Sequence, residues 1–364
     1  MHLIRNTESV CPTCWLPVPA VIKPEKDGVW MTKTCPVHGE TRAMVERDPV
    51  FYTYVMGLRA SQIYPGYFVD VTRRCNLRCT FCFQSLLKND PAGEYTVEKI
   101  LNECRLNVRN APFIITGGEP TVRDDIVELL TEVRKISPVG APPRMLSNGM
   151  KLTDRELYEA VLQQLWFPEE RIFTLNLSLH LKETDTWRII MEMLRADKIR
   201  IESALVVINS KESFLNAVAL AHEYSDVIAA MRIHVGTALY ADQKPATGAD
   251  KIFVSDMLNW LEEAGENPKP FMPDHNKPTF FNVKAGGAGV RPMWLMLVSW
   301  YDKTNIDVID IAVPPLYRAK TGQALNLVHW GIVNEGFDAG WIAGKRMPHP
   351  DTGLPSEPWE KELP

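Results

Sequence analysis

Between residues 66 and 265 the chain alternates between two spacings of apolar residues. Short runs at 66–72, 112–116, 145–149, 173–181, 201–208 and 231–236, apolar at every position or every second one, predict β-strands. Between them apolar residues recur every three or four positions, which predicts helices near 96–109, 124–136, 153–166, 184–196, 212–224 and 254–264. The stripe Ile126, Leu129, Leu130 and Val133 is one example, and Thr153 followed by Glu156 reads as a capping box. Six strand–helix units in series imply a parallel sheet with helices outside. Right-handed crossovers curl such a sheet into a barrel or part of one, with ligands at the carboxyl ends of the strands.

The flanks differ. Ahead of the repeat, Val21-Ile22 and Val29-Trp30-Met31 surround Lys26-Asp27-Gly28, the pattern of a hairpin. Residues 43–64 read as a connection. Behind the repeat, 266–292 is loop-like and 293–301 is an apolar aromatic run. Residues 306–313 read as a further strand piece, 322–344 carry aromatics on a helical pattern, and the tail from Pro348 is polar and proline-rich. The expected division is 1–45, a metal-binding ribbon; 46–265, the barrel; and 266–364, an α/β extension covering it.

Composition narrows the class without naming a function. The 364 residues are 45% hydrophobic and 23% charged, with a net charge of −5. This is a globular chain, with no basic field for nucleic acid or an anionic membrane. The first residues lack the apolar core of a signal peptide, and no apolar stretch reaches 18 residues. A cytoplasmic protein with no membrane span and no nucleic-acid partner is expected.

The seven cysteines all fall within the first 104 residues. Cys75-Asn-Leu-Arg-Cys79-Thr-Phe81-Cys82 places three thiols on the loop after the first barrel strand. Three thiolates are one short of the four that complete a 4Fe–4S cluster, which leaves one iron open; a zinc knuckle is the alternative reading. After the second strand comes Thr116-Gly117-Gly118-Glu119-Pro120. Its glycines allow close backbone approach and its carboxylate suits an ammonium group, or the segment is a plain strand-to-helix turn. Further forward, Cys11, Cys14, Cys35 and His38 form two knuckles whose count and spacing fit a tetrahedral zinc site, with mononuclear iron as competitor. Cys104 lies on a helical apolar stripe and reads as a small buried hydrophobe.

The Cys75–Cys82 pattern, followed by Gly117-Gly118-Glu119 after the next strand, resembles the signatures of the radical S-adenosylmethionine (radical SAM) superfamily. The resemblance implies a partial (β/α)6 TIM-like barrel. It implies that Cys75, Cys79 and Cys82 hold a 4Fe–4S cluster that binds SAM, with Gly117, Gly118 and Glu119 at the methionine amine. It further suggests SAM contacts for Ser147, Asn148 and Ser178 near ribose or carboxylate, for Val235 beside adenine through its backbone, and for Phe81 beside adenine. Ser147, Asn148 and Ser178 are of types more often found as simple turn or cap residues. His180, Arg232 and His234 either face substrate or form buried structural contacts. The amino-terminal knuckles ahead of such a core resemble the branch containing tetraether lipid synthase and related carbon–carbon or methyl-transfer enzymes. The absence of downstream cysteines departs from the peptide-modifying members and from the molybdenum-cofactor cyclase. The implied partners are a small-molecule or lipid substrate and a flavodoxin- or ferredoxin-type electron donor. No side chain is assigned as catalytic, because the cofactor carries the hard chemistry.

Overall fold

The structure is a computed structural model that describes residues 5–11, 17–57, 67–79, 95–106, 112–181, 185–235, 252–265, 270–273, 280–285 and 293–298. The pieces expected at 306–313 and 322–344 lie outside these residues.

The first unit is a four-stranded antiparallel sheet of β1 (Arg5–Val10), β2 (Pro17–Glu25), β3 (Gly28–Cys35) and β4 (Gly39–Glu46), paired in that order. The expected hairpin joins β2 and β3, with Glu25 paired to Gly28, so Lys26 and Asp27 make its two-residue turn. Residues 43–46, expected in the connection, are instead the buried end of β4. Ala43 and Val45 close a small core with Ala20, Ile22, Val29 and Met31, and Tyr52 of α1 (Pro49–Gly57) covers it.

The second unit follows the predicted alternation. Its strands are β5 (Tyr67–Asp70), β6 (Phe113–Thr116), β7 (Arg144–Ser147), β9 (Ile172–Ser178), β10 (Ile201–Ile208) and β11 (Ile228–Val235), all parallel and adjacent in that order. The two-residue β8 (Trp166–Phe167) pairs off the path onto β9. The helices are α2 (Val97–Leu106), α3 (Ile126–Ile136), α4 (Arg155–Leu165), α5 (Thr186–Ala196), α6 (Lys211–Glu223) and α7 (Val254–Glu263). Beyond β11, β14 (Met293–Val298) adds in parallel, then β13 (Phe280–Ala285) and β12 (Pro270–Pro273) antiparallel. Among the described residues the strand path runs from β12 to β5 without closing. This is the partial barrel that the periodicity implies.

One face of each strand meets the helices. Val69, Phe113, Ile115, Met145, Leu175, Leu177, Ala204, Val206, Met231 and Ile233 share a core with helix residues such as Leu129, Leu162, Ile190 and Phe214. The opposite, inward face carries Asp70, Thr116, Asn176, Ser178 and Arg232, as strict alternation requires. Helix α4 starts one residue later than the Thr153 capping box suggests. Asp154 caps it, accepting from the backbone N–H of Glu156 and Leu157, while the Thr153 hydroxyl donates to the Met150 carbonyl.

The two units meet at Glu46. This residue is fully buried, and its Oε1 accepts from the Arg47 N–H at 2.7 Å and from the Ser255 hydroxyl of α7 at 2.5 Å. Arg47 adds an ion pair to Asp256 at 2.9 Å and lies over the Phe253 ring. Glu46 Oε2 is buried without a partner, and burial pushes the carboxyl up to about 7, against the opposing pull of its hydrogen bonds.

Candidate functional site

The carboxyl end of β5 runs straight into the cysteine loop, and the next strand's turn holds that loop by main chain. Val71 N–H donates to the Thr116 carbonyl at 3.0 Å. In return, Gly118 N–H donates to the Thr72 carbonyl at 2.6 Å and Glu119 N–H to the Arg74 carbonyl at 2.8 Å. This explains the glycine pair. Gly117 has φ +136°, and a Cβ there would stand 2.4 Å from the Thr72 oxygen. A Cβ on Gly118 would stand 2.1 Å from the Arg74 oxygen. Real Cβ atoms do not approach backbone oxygen that closely, so only glycine permits the contact. The close approach expected toward a ligand is here an approach to the cysteine loop.

On that loop Cys79 is buried and Cys75 is half-buried. The Leu77 N–H lies 3.4 Å from the Cys75 sulfur, and Cys79 Sγ lies 3.2 Å from Nδ1 of His180. Cys82 and Phe81 fall outside the described residues. The two thiols seen, on a main-chain-locked loop at the carboxyl ends of the strands, fit an iron–sulfur ligand set.

Glu119 is 1% exposed and sits at the centre of a donor ring. Its Oε1 accepts from Thr121 N–H at 3.0 Å, Thr121 hydroxyl at 2.6 Å and Ser147 hydroxyl at 2.7 Å. Its Oε2 accepts from Asn148 N–H at 2.6 Å. Burial pushes this carboxyl above the ordinary carboxylate range while the four donors pull it back. A carboxylate offers about four lone-pair sites, so Oε1 is filled and Oε2 keeps room for one more donor. Ser147 and Asn148 both lie at the end of β7 and are buried. The Asn148 amide donates to Asn76 Oδ1 at 2.8 Å, a second tie from β7 to the cysteine loop. Ser178 is half-buried at the end of β9, in register with Leu205. Val235 ends β11 and pairs with Ile208; its side chain lies outside the described residues, as does that of His234. Arg232 is half-buried between Met231 and Ile233. Cys104 is fully buried in α2, where desolvation raises its thiol to about 12, as a small hydrophobe requires.

Three partners are absent from the sequence expectation: Thr121, Asn76 and Arg123. The buried Arg123 guanidinium donates to the Val71 and Tyr95 carbonyls at 2.8 and 2.9 Å and forks onto Asp125 at 2.7 Å. It thus ties both ends of the segment between β5 and α2. Glu119 followed by Pro120 is a helix-start pattern, since the Glu119 side chain caps the 3₁₀ turn Pro120–Val122. That pattern was the available clue to Thr121.

In the first unit, Cys11, Cys35 and His38 bring one ligand atom each within 4.8 Å of one another. His38 Nδ1 lies 3.6 Å from Cys11 Sγ and 3.5 Å from Cys35 Sγ. Zn–S near ~2.3 Å and Zn–N near ~2.0 Å give a tetrahedral S···N edge of about 3.5 Å, so the three atoms fit zinc. Burial raises the Cys35 thiol, but the backbone N–H groups of His38 and Val37 and the His38 ring outweigh it and bring the thiol below its ordinary value. Cys14, the expected fourth ligand, lies outside the described residues. No helix among the described residues is long and apolar enough to cross a membrane.

Residues 3–47 match the HMPTM N-terminal zinc ribbon domain, and residues 69–231 match the radical SAM superfamily. The 7,8-dihydro-6-hydroxymethylpterin dimethyltransferase of Methanocaldococcus jannaschii is 29% identical over 197 residues, covering 44% of this chain and 38% of that protein. A probable GTP 3',8-cyclase of Thermococcus kodakarensis is 31% identical over 126 residues, covering 33% of this chain and 36% of that one. The chain therefore spans well under half the length of these relatives. A crystal structure of Streptococcus suis SuiB bound to the precursor peptide SuiA aligns at TM-score 0.42 with 14% identity, over 71% of this chain and 69% of that one. The chain thus carries a radical SAM domain over residues 69–231, where the Gly-Gly-Glu turn locks the cysteine loop, behind a zinc ribbon domain over residues 3–47.

Proposed function

We propose that this chain is a radical SAM enzyme in which Cys75, Cys79 and Cys82 hold the cluster. Its small-molecule substrate is modified at carbon, with methyl transfer as the favoured reaction. The observation that carries the reading is the main-chain lock between residues 72–74 and 117–119, which fixes the cysteine loop at the carboxyl end of the sheet. When bound, a 4Fe–4S cluster supplies one electron to cleave SAM to a 5′-deoxyadenosyl radical, which takes hydrogen from an unactivated C–H bond.

The chain's residues orient and shield. The Gly117 and Gly118 turn and the open side of Glu119 Oε2 present acceptors to the methionine amine. Ser147 and Asn148 donate one hydroxyl and one backbone N–H to Glu119, which opposes the upward push of its burial. Ser178 and the backbone of Val235, both at strand ends, line the remaining rim, with Phe81 packing beside adenine. Cys11, Cys14, Cys35 and His38 hold zinc as a structural element; the convergence of the buried Cys11 and Cys35 with the exposed His38 supports a four-ligand site. The division 1–45, 46–265 and 266–364 accompanies this reading, with the ribbon extended by one residue to Glu46. A flavodoxin- or ferredoxin-type protein supplies the electron, and a cytoplasmic location accompanies this reading, since a reducing compartment keeps closely spaced cysteines available for metal. Methyl transfer is supported by the ribbon's family description and by the dimethyltransferase relative.

Anaerobic reconstitution tests the reading. About four irons above the ribbon metal per chain, and 5′-deoxyadenosine release under dithionite, are expected, both lost in Cys75→Ala. S-adenosylhomocysteine among the products distinguishes methyl transfer from hydrogen abstraction alone. A reconstituted chain that releases no 5′-deoxyadenosine overturns the proposal.

A further inference from the structure

His180 is placed against the cysteine loop by strand periodicity. It lies just past β9, where Leu179 N–H extends the ladder to the Leu205 carbonyl at 2.7 Å. Leu179 is buried in the helix-side core and Leu181 packs against it. Alternation then turns the residue between them to the opposite, inward face. There its Nδ1 meets Cys79 Sγ at 3.2 Å, from a residue 101 positions away in the chain. Cys79 is buried, so the contact is shielded from bulk water.

The chemistry of the contact follows from the ligand role proposed for Cys79. A metal-bound cysteine is a thiolate and has no proton to give. The hydrogen between sulfur and nitrogen must then sit on the imidazole, as Nδ1–H donating to sulfur. Such a bond stabilises negative charge on the sulfur. A reduced cluster carries one more negative charge than an oxidised one, so the bond favours reduction. Hydrogen bonds to the sulfurs are among the factors that set iron–sulfur potentials, and partners outside the ligand set tune metal sites generally.

We propose that His180 is a positioning residue for the cluster, donating from Nδ1 to Cys79 Sγ and raising the cluster's midpoint potential. The inference rests on the ligand set proposed above. It assigns to His180 a task on the sulfur rather than on substrate.

An EPR-monitored redox titration of the full, anaerobically reconstituted chain, without SAM, tests it. His180→Leu removes the donor, and His180→Asn keeps an N–H near the Nδ1 position. With equal iron and sulfide content, His180→Leu is expected to titrate at a more negative potential. At fixed potential its reduced-to-oxidised ratio falls about tenfold, the scale of one charge-assisted hydrogen bond, or ~59 mV for a one-electron couple. His180→Asn is expected to stay near wild type. An unchanged midpoint in His180→Leu overturns the inference, and so does an Asn variant that behaves like Leu. If the Leu variant does not hold a cluster, pulsed EPR on wild-type protein labelled with 15N-histidine decides. A weak nitrogen coupling supports the hydrogen bond. No coupling, or the strong coupling of an iron-bound nitrogen, overturns it. A wild-type chain that takes up no cluster sinks the ligand assignment itself; a clustered chain with an insensitive midpoint sinks only the role of His180.

Discussion

The ribbon and the cysteine loop both gather thiols, but by opposite means. In the ribbon, side chains converge: Cys11, Cys35 and His38 approach one point from separate stretches of a small sheet whose own core is seven residues. At the loop, main chain does the gathering. The carbonyls of Thr72 and Arg74 are held by the amides of Gly118 and Glu119, and the loop is braced by Asn148 and Arg123. The first arrangement depends on its metal for coherence, because so small a core cannot hold a sheet alone. The described part of the second is fastened by main-chain hydrogen bonds to a turn that stands on the large core. The two cysteine clusters thus differ in what supports their thiols.

Removing the ribbon metal has the largest expected effect on this contrast. Structural zinc binding amounts to ~10 kcal/mol or more of folding free energy in small metal modules. Chelation is expected to open residues 5–46 to limited proteolysis while the barrel resists. Equal protease resistance of both regions after complete zinc removal would mean that the ribbon holds itself together.

Gly118→Ala attacks the other side of the comparison. With the added methyl 2.1 Å from the Arg74 oxygen, the backbone must shift. A destabilisation of ~3 kcal/mol is expected by the overpacking scale, together with loss of cluster uptake and an intact zinc content. Normal iron incorporation in this variant, measured by elemental analysis, would show that the lock is dispensable.

The seam between the regions supplies the smallest effect. The Glu46 carboxyl is raised from 4.5 to about 7 by burial. Folding therefore favours its protonated form. That contribution is complete below pH ~4.5 and is lost as pH climbs through about 7, so it falls with rising pH and amounts to at most ~3 kcal/mol. Urea denaturation of wild type against Glu46→Gln, followed from pH 5 to pH 8, should show a flatter profile in the variant. Parallel profiles would assign the pH dependence elsewhere.

The barrel was legible because each unit has its own short-range period. All six strands and six helices of the repeat fall within a few residues of the sequence expectation. The ribbon was half legible. The hairpin around Lys26 and Asp27 shows in its apolar pairs, but β1 is polar and β4 begins with Gly39-Glu40-Thr41-Arg42, so neither edge strand carries an apolar pattern. In the site, the cysteines and the glycine pair announce themselves by type and spacing. Thr121, Asn76 and Arg123 do not, because their value lies in satisfying buried groups of distant elements, and such pairings emerge only once the strands are in register. Glu119 shows the same limit: its residue type was readable, whereas its four protein donors were not.

The joint between residues 72–74 and 117–119 has a consequence for how such a protein can change. Apart from the two glycines, the fastening is made of peptide N–H and C=O groups, which any residue but proline supplies, so few side chains enter into it. Apart from Asn148, which also braces the cysteine loop through Asn76, the proposed rim positions are thereby left out of that fastening. New reactant preferences can arise there by ordinary substitution, while the joint that holds the cysteine loop stays as it was.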